Sequence, residues 1–471
     1  MEFKKKRKGF LEEINTAFLT NHESYINYCL MHANDRLKNY NCTKKIKEHE
    51  ELLNIYENIE YLKEPKNICL LDSNGLTNDD LNEAYKCVLD GKLFSEHTAA
   101  GEATRLGLGT KYLLNISREL PIERISDIMT NEKGSQVTVN DVLKKTNNVK
   151  SEDLLDLSLG TRHMIQFSFD IAKLAKKFNY SVDEVLKKQK MLIVLNERTY
   201  EKIIKEFVRY NFFGFNRENI MFMVQESFHG ITFKDNKYIY DENSPKRLHN
   251  HGQMVMQQTI DNQIFKINSS GNKKYLSSEE YGNILKDMEN KISYNIEDLD
   301  YLTGSIDYES LAFALKKSKE GYRMLMEIVS NNKENPQKGG MAAFDNKLQR
   351  NVMIEGFQLK GIKNHEIKYL NKNFNHFPKP YESWLMLKKN GLNMPITVKN
   401  EHLYFQPVQG DINFLVTTEF FRRTKLKPIK SWKSPATTPL AVYHKYLQDK
   451  QEGFTDFCEQ IMDFKVKKFN C

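Results

Sequence analysis

The sequence predicts an α/β fold with a helical unit ahead of it and a short unit behind it. Three observations carry this expectation. The first is a strand–helix–strand signal ending at residue 225. Met191-Leu192-Ile193-Val194-Leu195 is a short apolar run ending in Asn196 and reads as a buried strand. Glu197 to Tyr210 has helical spacing through Tyr200, Ile203, Ile204 and Phe207, and Asn219 to Gln225 reads as a second strand. Such a unit implies parallel pairing and a right-handed crossover, with ligands at the strands' carboxyl ends, where Gln225 and Glu226 stand. The second observation is the helical spacing of residues 1–92, seen in Phe10, Leu11, Ile14, Phe18 and Leu19 and again in Leu52, Leu53, Tyr56, Ile59 and Leu62. A helix starting at Asn78-Asp79-Asp80 closes this unit, with Gly91 as its stop. The third is the helical-looking tail over residues 431–471.

The 471 residues are 40% hydrophobic and include 28 Phe and 23 Tyr, enough for a sizeable core in two or three structural units. The formal charge of +8 suits an anionic metabolite and does not call for nucleic acid. Lys4-Lys5-Lys6-Arg7-Lys8 reads as a solvated tail; a nucleic-acid patch there predicts a salt-steep affinity lost on deleting residues 1–8. Six cysteines without Cys-x-x-Cys spacing fit free thiols in a reducing compartment. No apolar run approaches the ~20 residues of a membrane span, and the basic N-terminus lacks an apolar h-region. The expectation is a soluble cytoplasmic protein with no membrane partner.

Thr98 to Lys111 concentrates glycine and alanine with Arg105 and Lys111. Small residues let backbone N–H groups approach a phosphate chain, and the two cations supply charge that a triphosphate needs. The stretch is neither Gly-x-Gly-x-x-Gly nor a P-loop. It resembles the Gly-Gly-x-Gly-Thr-Arg-Leu-Gly…Pro-Lys loop of the UTP:sugar-1-phosphate uridylyltransferases, the UDP-sugar pyrophosphorylases. Gly101, Thr104, Arg105, Leu106 and Gly107 fall in register; Ala100 and Ala103 replace two glycines, Lys111 comes one position early, and no proline precedes it. The preceding Leu93-Phe94-Ser95-Glu96-His97-Thr98 is half polar for a buried strand. It is either near an edge or has polar groups that meet partners, and His97 reads as a hydrogen-bonded structural histidine.

The resemblance continues in order along the chain. Asn211-Phe212-Phe213-Gly214 and Phe222-Met223-Val224-Gln225 match a turn and a strand end whose glutamine, here Gln225, faces the uracil; an amide can donate to and accept from an imide edge. His249-Asn250-His251-Gly252-Gln253 matches a segment lying against the base, with His251 and Gly252 in register; no cluster of zinc-ligand spacing accompanies the histidines. Residues 263–290 read as an insertion. Ile292 to Asp300 reads as a strand ending in acid, and the resemblance makes Asp298 the Mg²⁺ ligand, with Glu297 and Asp300 as alternatives. Lys338 to Asp345 and Val352 to Glu355 read as a hairpin; the resemblance gives Gly340, Glu355 and, from the asparagine-rich stretch after it, Asn373 to the sugar. Phe405 to Ile412 matches a further strand–turn–helix, and Arg423 to Lys430 a basic segment whose last lysine, Lys430, reaches the phosphates opposite the glycine loop.

The resemblance implies a doubly wound, Rossmann-like nucleotidyltransferase core of the GT-A-like kind with a mixed sheet, spanning residues 93–430 between the helical unit 1–92 and the short unit 431–471. It implies transfer of a uridylyl group from UTP to glucose 1-phosphate or N-acetylglucosamine 1-phosphate with release of pyrophosphate, dependent on Mg²⁺. Arg105, Lys111 and Lys430 are the expected catalytic cations, and Ala100, Gly101, Thr104, Gln225, His251 and Gly252 the nucleotide contacts. The altered loop also fits a second class: a non-catalytic member that binds a nucleotide sugar as a sensor or scaffold.

Overall fold

Lys190–Asn196, Tyr200–Arg209 and Ile220–Gln225 form the expected strand, helix and strand in the computed structural model, which describes residues 23–71, 75–101, 109–295, 306–334, 336–423 and 437–461. Met191 to Leu195 are fully buried, which explains their unbroken apolar run. The structure is mixed α/β with a large mixed sheet. Its chain falls into two compact units that do not follow sequence order. One takes Met1–Leu81, Met223–Ile292 and Glu309–Leu426; the other takes Asn82–Phe222, Ser293–Tyr308 and Lys427–Cys471.

In the second of these units, Leu93–Thr98 pairs parallel to Lys190–Asn196, from Phe94 opposite Lys190 to Thr98 opposite Val194. The strand is not at an edge, because Asn290–Asn295 lies on its other side. Its polar residues Ser95, Glu96 and His97 are buried. The Glu96 carboxylate accepts from the Ser293 hydroxyl, and the His97 ring stands 5.1 Å from that of Phe167. The half-polar strand is thus an interior strand whose carboxylate meets a partner and whose histidine packs against an aromatic ring.

Phe167 belongs to the helix Leu159–Lys177. Ser158 caps it by accepting from Thr161 N. Its first half is buried although it carries Thr161, Arg162, His163 and Gln166, and these polar residues hide the apolar period. Arg162 is ion-paired with Asp449 of the helix Thr437–Glu452. That C-terminal helix also places Val442 and Tyr443 in one cluster with Ile122, Ile125 and Val142, so the helix is packed into this unit.

The turn Asn211–Gly214 runs through the left-handed region at Asn211, Phe212 and Phe213, with φ between 45° and 56°. Such φ values are costly for bulky residues and persist only where packing imposes them. Both phenylalanines are buried, and Phe207 meets each ring within 6.2 Å.

In the other unit the strand order is Cys69–Leu70, Thr418–Arg422, Met324–Ser330, Tyr369–Pro378, then the start of Asn290–Asn295. The first two pairings are parallel and the next two antiparallel. The expected hairpin is Met341–Asp345 with Arg350–Ile354, joined to this sheet through Met341 opposite Leu370. A small antiparallel sheet orders Ile396–Lys399, His402–Phe405, Ile231–Lys234 and Lys237–Tyr240. The helix Glu23–Arg36 buries Tyr25, Tyr28, Cys29 and Ala33 in the cluster that also holds Phe228, Ile231, Leu403 and Phe405. The stretch read as an insertion is ordered as the hairpin Ile264–Ile267 with Lys273–Tyr275 and the helix Ser278–Lys286.

Within the stretch read as helical, the described residues also hold the short strands Leu62–Lys63 and Cys69–Leu70. The helix expected before Gly91 spans Asn78–Leu89, and Gly91 has φ 67°. A Cβ at Gly91 would fall 2.5 Å from the carbonyl oxygen of Lys188. Gly91→Ala is therefore expected to lower the unfolding free energy by more than about 1 kcal/mol. Urea denaturation measures it, and an unchanged midpoint would refute the close approach.

Candidate functional site

The glycine–alanine loop leaves its strand at Thr98 and is fixed at both ends. Ala99 N donates to Val194 O at 2.7 Å, which extends the parallel pairing by one step. Lys111 N donates to Gly101 O at 3.1 Å and closes the loop base. Asn196, at the carboxyl end of the neighbouring strand, holds both sides. Its Nδ2 donates to Ala100 O at 3.0 Å and reaches Thr110 Oγ1 at 3.5 Å. Its Oδ1 accepts from Arg198 N, Thr199 N and Thr199 Oγ1 at 2.9–3.0 Å. One buried amide thus ties the loop to the helix entry after the strand. The sequence shows Asn196 only as the polar end of an apolar run. Gly101 is exposed, and a Cβ there would stand 3.9 Å from Lys111 Cδ, so the lysine stem lies over the glycine. Thr104 and Arg105 lie outside the described residues.

Gln225, His251 and Gly252 form a second group. Gln225 is buried at its strand end, and its Nε2 donates to Asn250 O at 3.1 Å. Asn250 takes φ 55°, and its Oδ1 accepts from His251 N at 2.8 Å. Gly252 N donates to Pro407 O at 2.9 Å. A Cβ at Gly252 would fall 2.2 Å from the Pro407 carbonyl carbon, so only glycine allows the two backbones to meet. His251 Nδ1 accepts from Gln409 N at 3.0 Å. That bond fixes the tautomer: the proton sits on Nε2, which has no hydrogen-bond partner among the described residues and can donate outward. Burial lowers the His251 pKa to about 4, so the ring is neutral near pH 7. The geometry favours a neutral donor over a cationic phosphate contact.

Behind this group the helix Gly252–Gln257 carries a buried amide ladder. Gln253 Nε2 donates to Glu226 O at 2.7 Å, and Gln257 Nε2 donates to Val224 O at 3.3 Å. Gln253 Oε1 accepts from His249 N at 2.9 Å. His249 itself is a packing residue, with Nδ1 3.1 Å from Tyr25 Oη and its ring among Phe228, Tyr404 and Phe405.

Gly340 and Glu355 form a third group with Asn371, from the asparagine-rich stretch in which Asn373 is the expected contact. Around the position a Gly340 Cβ would take stand Met353 Sδ at 2.8 Å, Glu355 Oε1 at 3.3 Å and Asn371 Cβ at 3.4 Å. Asn371 N donates to Gly340 O at 2.8 Å. Burial raises the Glu355 pKa, while its carboxylate accepts from the backbone N–H groups of Gly356 and Gln358 and has no side-chain partner among the described residues. Asn373 lies in the stretch where the pairing of Tyr369–Pro378 with Met324–Ser330 shifts register, between Asn371 and Asn375. The side chain of Asn373 is outside the described residues.

The segment Pro407–Asn413 connects the second and third groups. Pro407 and Gln409 hold Gly252 and His251, as above. Asn413 Oδ1 accepts from Met353 N at 3.2 Å, and its Nδ2 donates to Met353 O at 3.1 Å and to Gly410 O at 2.7 Å. This side chain pairs with Met353 as an edge strand would. Asn413 carries no signal in the sequence, since its partners are remote.

Asp298, with Glu297 and Asp300, and Lys430 lie outside the described residues. Among the described residues no group of three or more His, Cys, Asp or Glu could hold a metal ion. Arg423, which opens the basic segment, is anchored to buried Glu327 at 3.1 Å, and Lys372 meets the same carboxylate at 3.3 Å.

Two outcomes are expected. Asn196→Ala should accelerate hydrogen exchange at the Lys111 amide, because the loop base loses its tie; unchanged protection would remove Asn196 from that role. Burial holds His97 and His249 at a pKa of about 3 and His251 at about 4, against about 6.5 in the unfolded chain. The unfolded chain therefore binds more protons between those values. Stability is complete above about pH 6.5 and falls towards pH 4, by up to about 1.4 kcal/mol per pH unit for each histidine. Urea midpoints at a series of pH values read this slope, and a flat profile from about pH 7 to 5 would contradict the buried neutral rings.

No family model matches the chain, and no curated protein matches it in sequence. Solved structures do match in fold. The UDP-N-acetylglucosamine pyrophosphorylase of Trypanosoma brucei, solved with an inhibitor, aligns over 94% of this chain and 84% of its own, with TM-score 0.54 and 11% identity. A protein of Entamoeba histolytica assigned as a UDP-N-acetylglucosamine pyrophosphorylase aligns over 79% of this chain and 83% of its own, with TM-score 0.50 and 14% identity. At these identities the likeness is one of fold, and among the described residues no helix is long and apolar enough to cross a membrane. The chain has the UDP-sugar pyrophosphorylase-like fold.

Proposed function

We propose that the chain is a uridylyltransferase that forms a UDP-sugar and pyrophosphate from UTP and a hexose 1-phosphate. The observation that carries this reading is the Glu355 carboxylate, partly desolvated, flush with Gly340 and held by backbone N–H groups without a side-chain partner among the described residues. A carboxylate has more lone pairs than these backbone donors fill, so it can also accept from sugar hydroxyls, and a sugar that lacks one forfeits that bond. The fold and the neutral His251 donor linked to the same segment support it.

In this reading the sugar-phosphate oxygen attacks the α-phosphorus of UTP in line, and pyrophosphate leaves. The protein holds two anions together and offsets their repulsion. Lys111, bent over Gly101, and Arg105 take the triphosphate, and Lys430 the bridging phosphates. Gln225 and the Nε2–H of His251 read the base, with Gly252 giving backbone access. Glu355 and the asparagine-rich strand, through Asn371 or Asn373, read the sugar. Mg²⁺, held by Asp298 and phosphate oxygens, would supply charge neutralisation; one carboxylate suffices for such an ion.

The assay is pyrophosphate release with UTP, Mg²⁺ and a panel of sugar 1-phosphates. Lys430→Ala should lower turnover by about 100-fold or more while leaving the melting temperature unchanged, and wild-type rates would end its role. Glu355→Gln should raise KM for the sugar phosphate about tenfold with little change in KM for UTP. A second reading has its own observation: Ala99 N–H is spent on Val194 O and is not free for phosphate. Binding of UDP-sugars with no pyrophosphate released from any sugar phosphate would make the chain a nucleotide-sugar sensor or scaffold.

A further inference from the structure

Met353 is fully buried at the centre of the sugar-facing group, and two glycines exist to make room for it. A Cβ on Gly340 would fall 2.8 Å from its Sδ, and a Cβ on Gly410 would fall 1.8 Å from its Cε. The thioether therefore threads a slot between two glycines from two separate stretches of chain. Met353 and Glu355 are two residues apart, and both stand at the open side of Gly340. Asn413 holds both the N–H and the C=O of Met353 on one edge, and Ala342 lies opposite it on the other, which resists a shift of the strand.

Resting on the uridylyl-transfer reading above, we propose that Met353 sets the depth of the sugar pocket and so selects between hexose 1-phosphates by the size of a ring substituent. A hydroxyl reaches Glu355 without disturbing the slot. An N-acetyl group beside the same carboxylate needs the volume that the Met353 thioether fills next to Gly340. A pocket wall that adds or removes one methylene changes discrimination by about 10–200-fold. Methionine is unbranched and can repack, which makes this wall adjustable while Glu355 stays in place.

The test compares kcat/KM for N-acetylglucosamine 1-phosphate and glucose 1-phosphate in the wild type, Met353→Ala, Met353→Val and the volume-conserving Met353→Leu, with thermal unfolding to verify folding. The ratio of the first substrate to the second should rise about tenfold or more in the alanine variant, rise less in the valine variant, and hold in the leucine variant. A general loosening of the fold would lower both rates together and leave the ratio unchanged. Should the alanine variant not fold, the valine variant alone decides. A constant ratio in a folded, active variant overturns the role of Met353 and leaves the transferase reading standing. A wild type that releases pyrophosphate from neither substrate overturns the transferase reading, and the selectivity role with it.

Discussion

Gly252 and Pro407 meet backbone to backbone, close enough that any side chain at 252 would occupy the space of the Pro407 carbonyl. This contact lets the Pro407–Asn413 segment run past His251 and on to the Arg350–Ile354 strand. Along it the Gln409 N–H sets the His251 tautomer, and Asn413 supplies the missing strand partner of Met353. Two groups of polar residues then share one support. A shift of the segment would move the histidine donor and the Glu355 carboxylate together, and catalysis or recognition that needs both in register depends on that stiffness.

The glycine loop is held by a different device. It hangs from a parallel strand pair, and the polar load falls on one amide, Asn196, which satisfies donors and acceptors from three directions. Burying an amide is costly unless its groups are matched, so a fully matched one rigidifies its surroundings. The same logic explains the polar strand before the loop. Glu96 is matched by Ser293, and His97 is kept neutral by burial beside Phe167.

Glycine does distinct work at four positions. At Gly91 it takes a left-handed φ next to a carbonyl. At Gly252 it lets two backbones touch. At Gly340 and Gly410 it leaves a slot for one methionine. Only the first follows from local signals, because a helix stop is a property of the chain nearby. The others depend on residues more than ten positions away.

By itself the sequence determined what rests on short-range periodicity and local chemistry: the Met191–Leu195 strand, the helix after it, the Gly91 stop, the hairpin at Met341–Ile354 and the α/β class. The order of short motifs also placed Gln225, His251, Gly252, Gly340 and Glu355 among the candidates. Tertiary structure decided what needs remote partners: the long helix from Leu159, hidden by buried polar residues; the interior position of the Leu93–Thr98 strand; and the tie of Asn196 to the loop. It also decided the joining of His251 to Glu355 through Pro407–Asn413, because a hydrogen bond between residues 158 positions apart leaves no period in the chain.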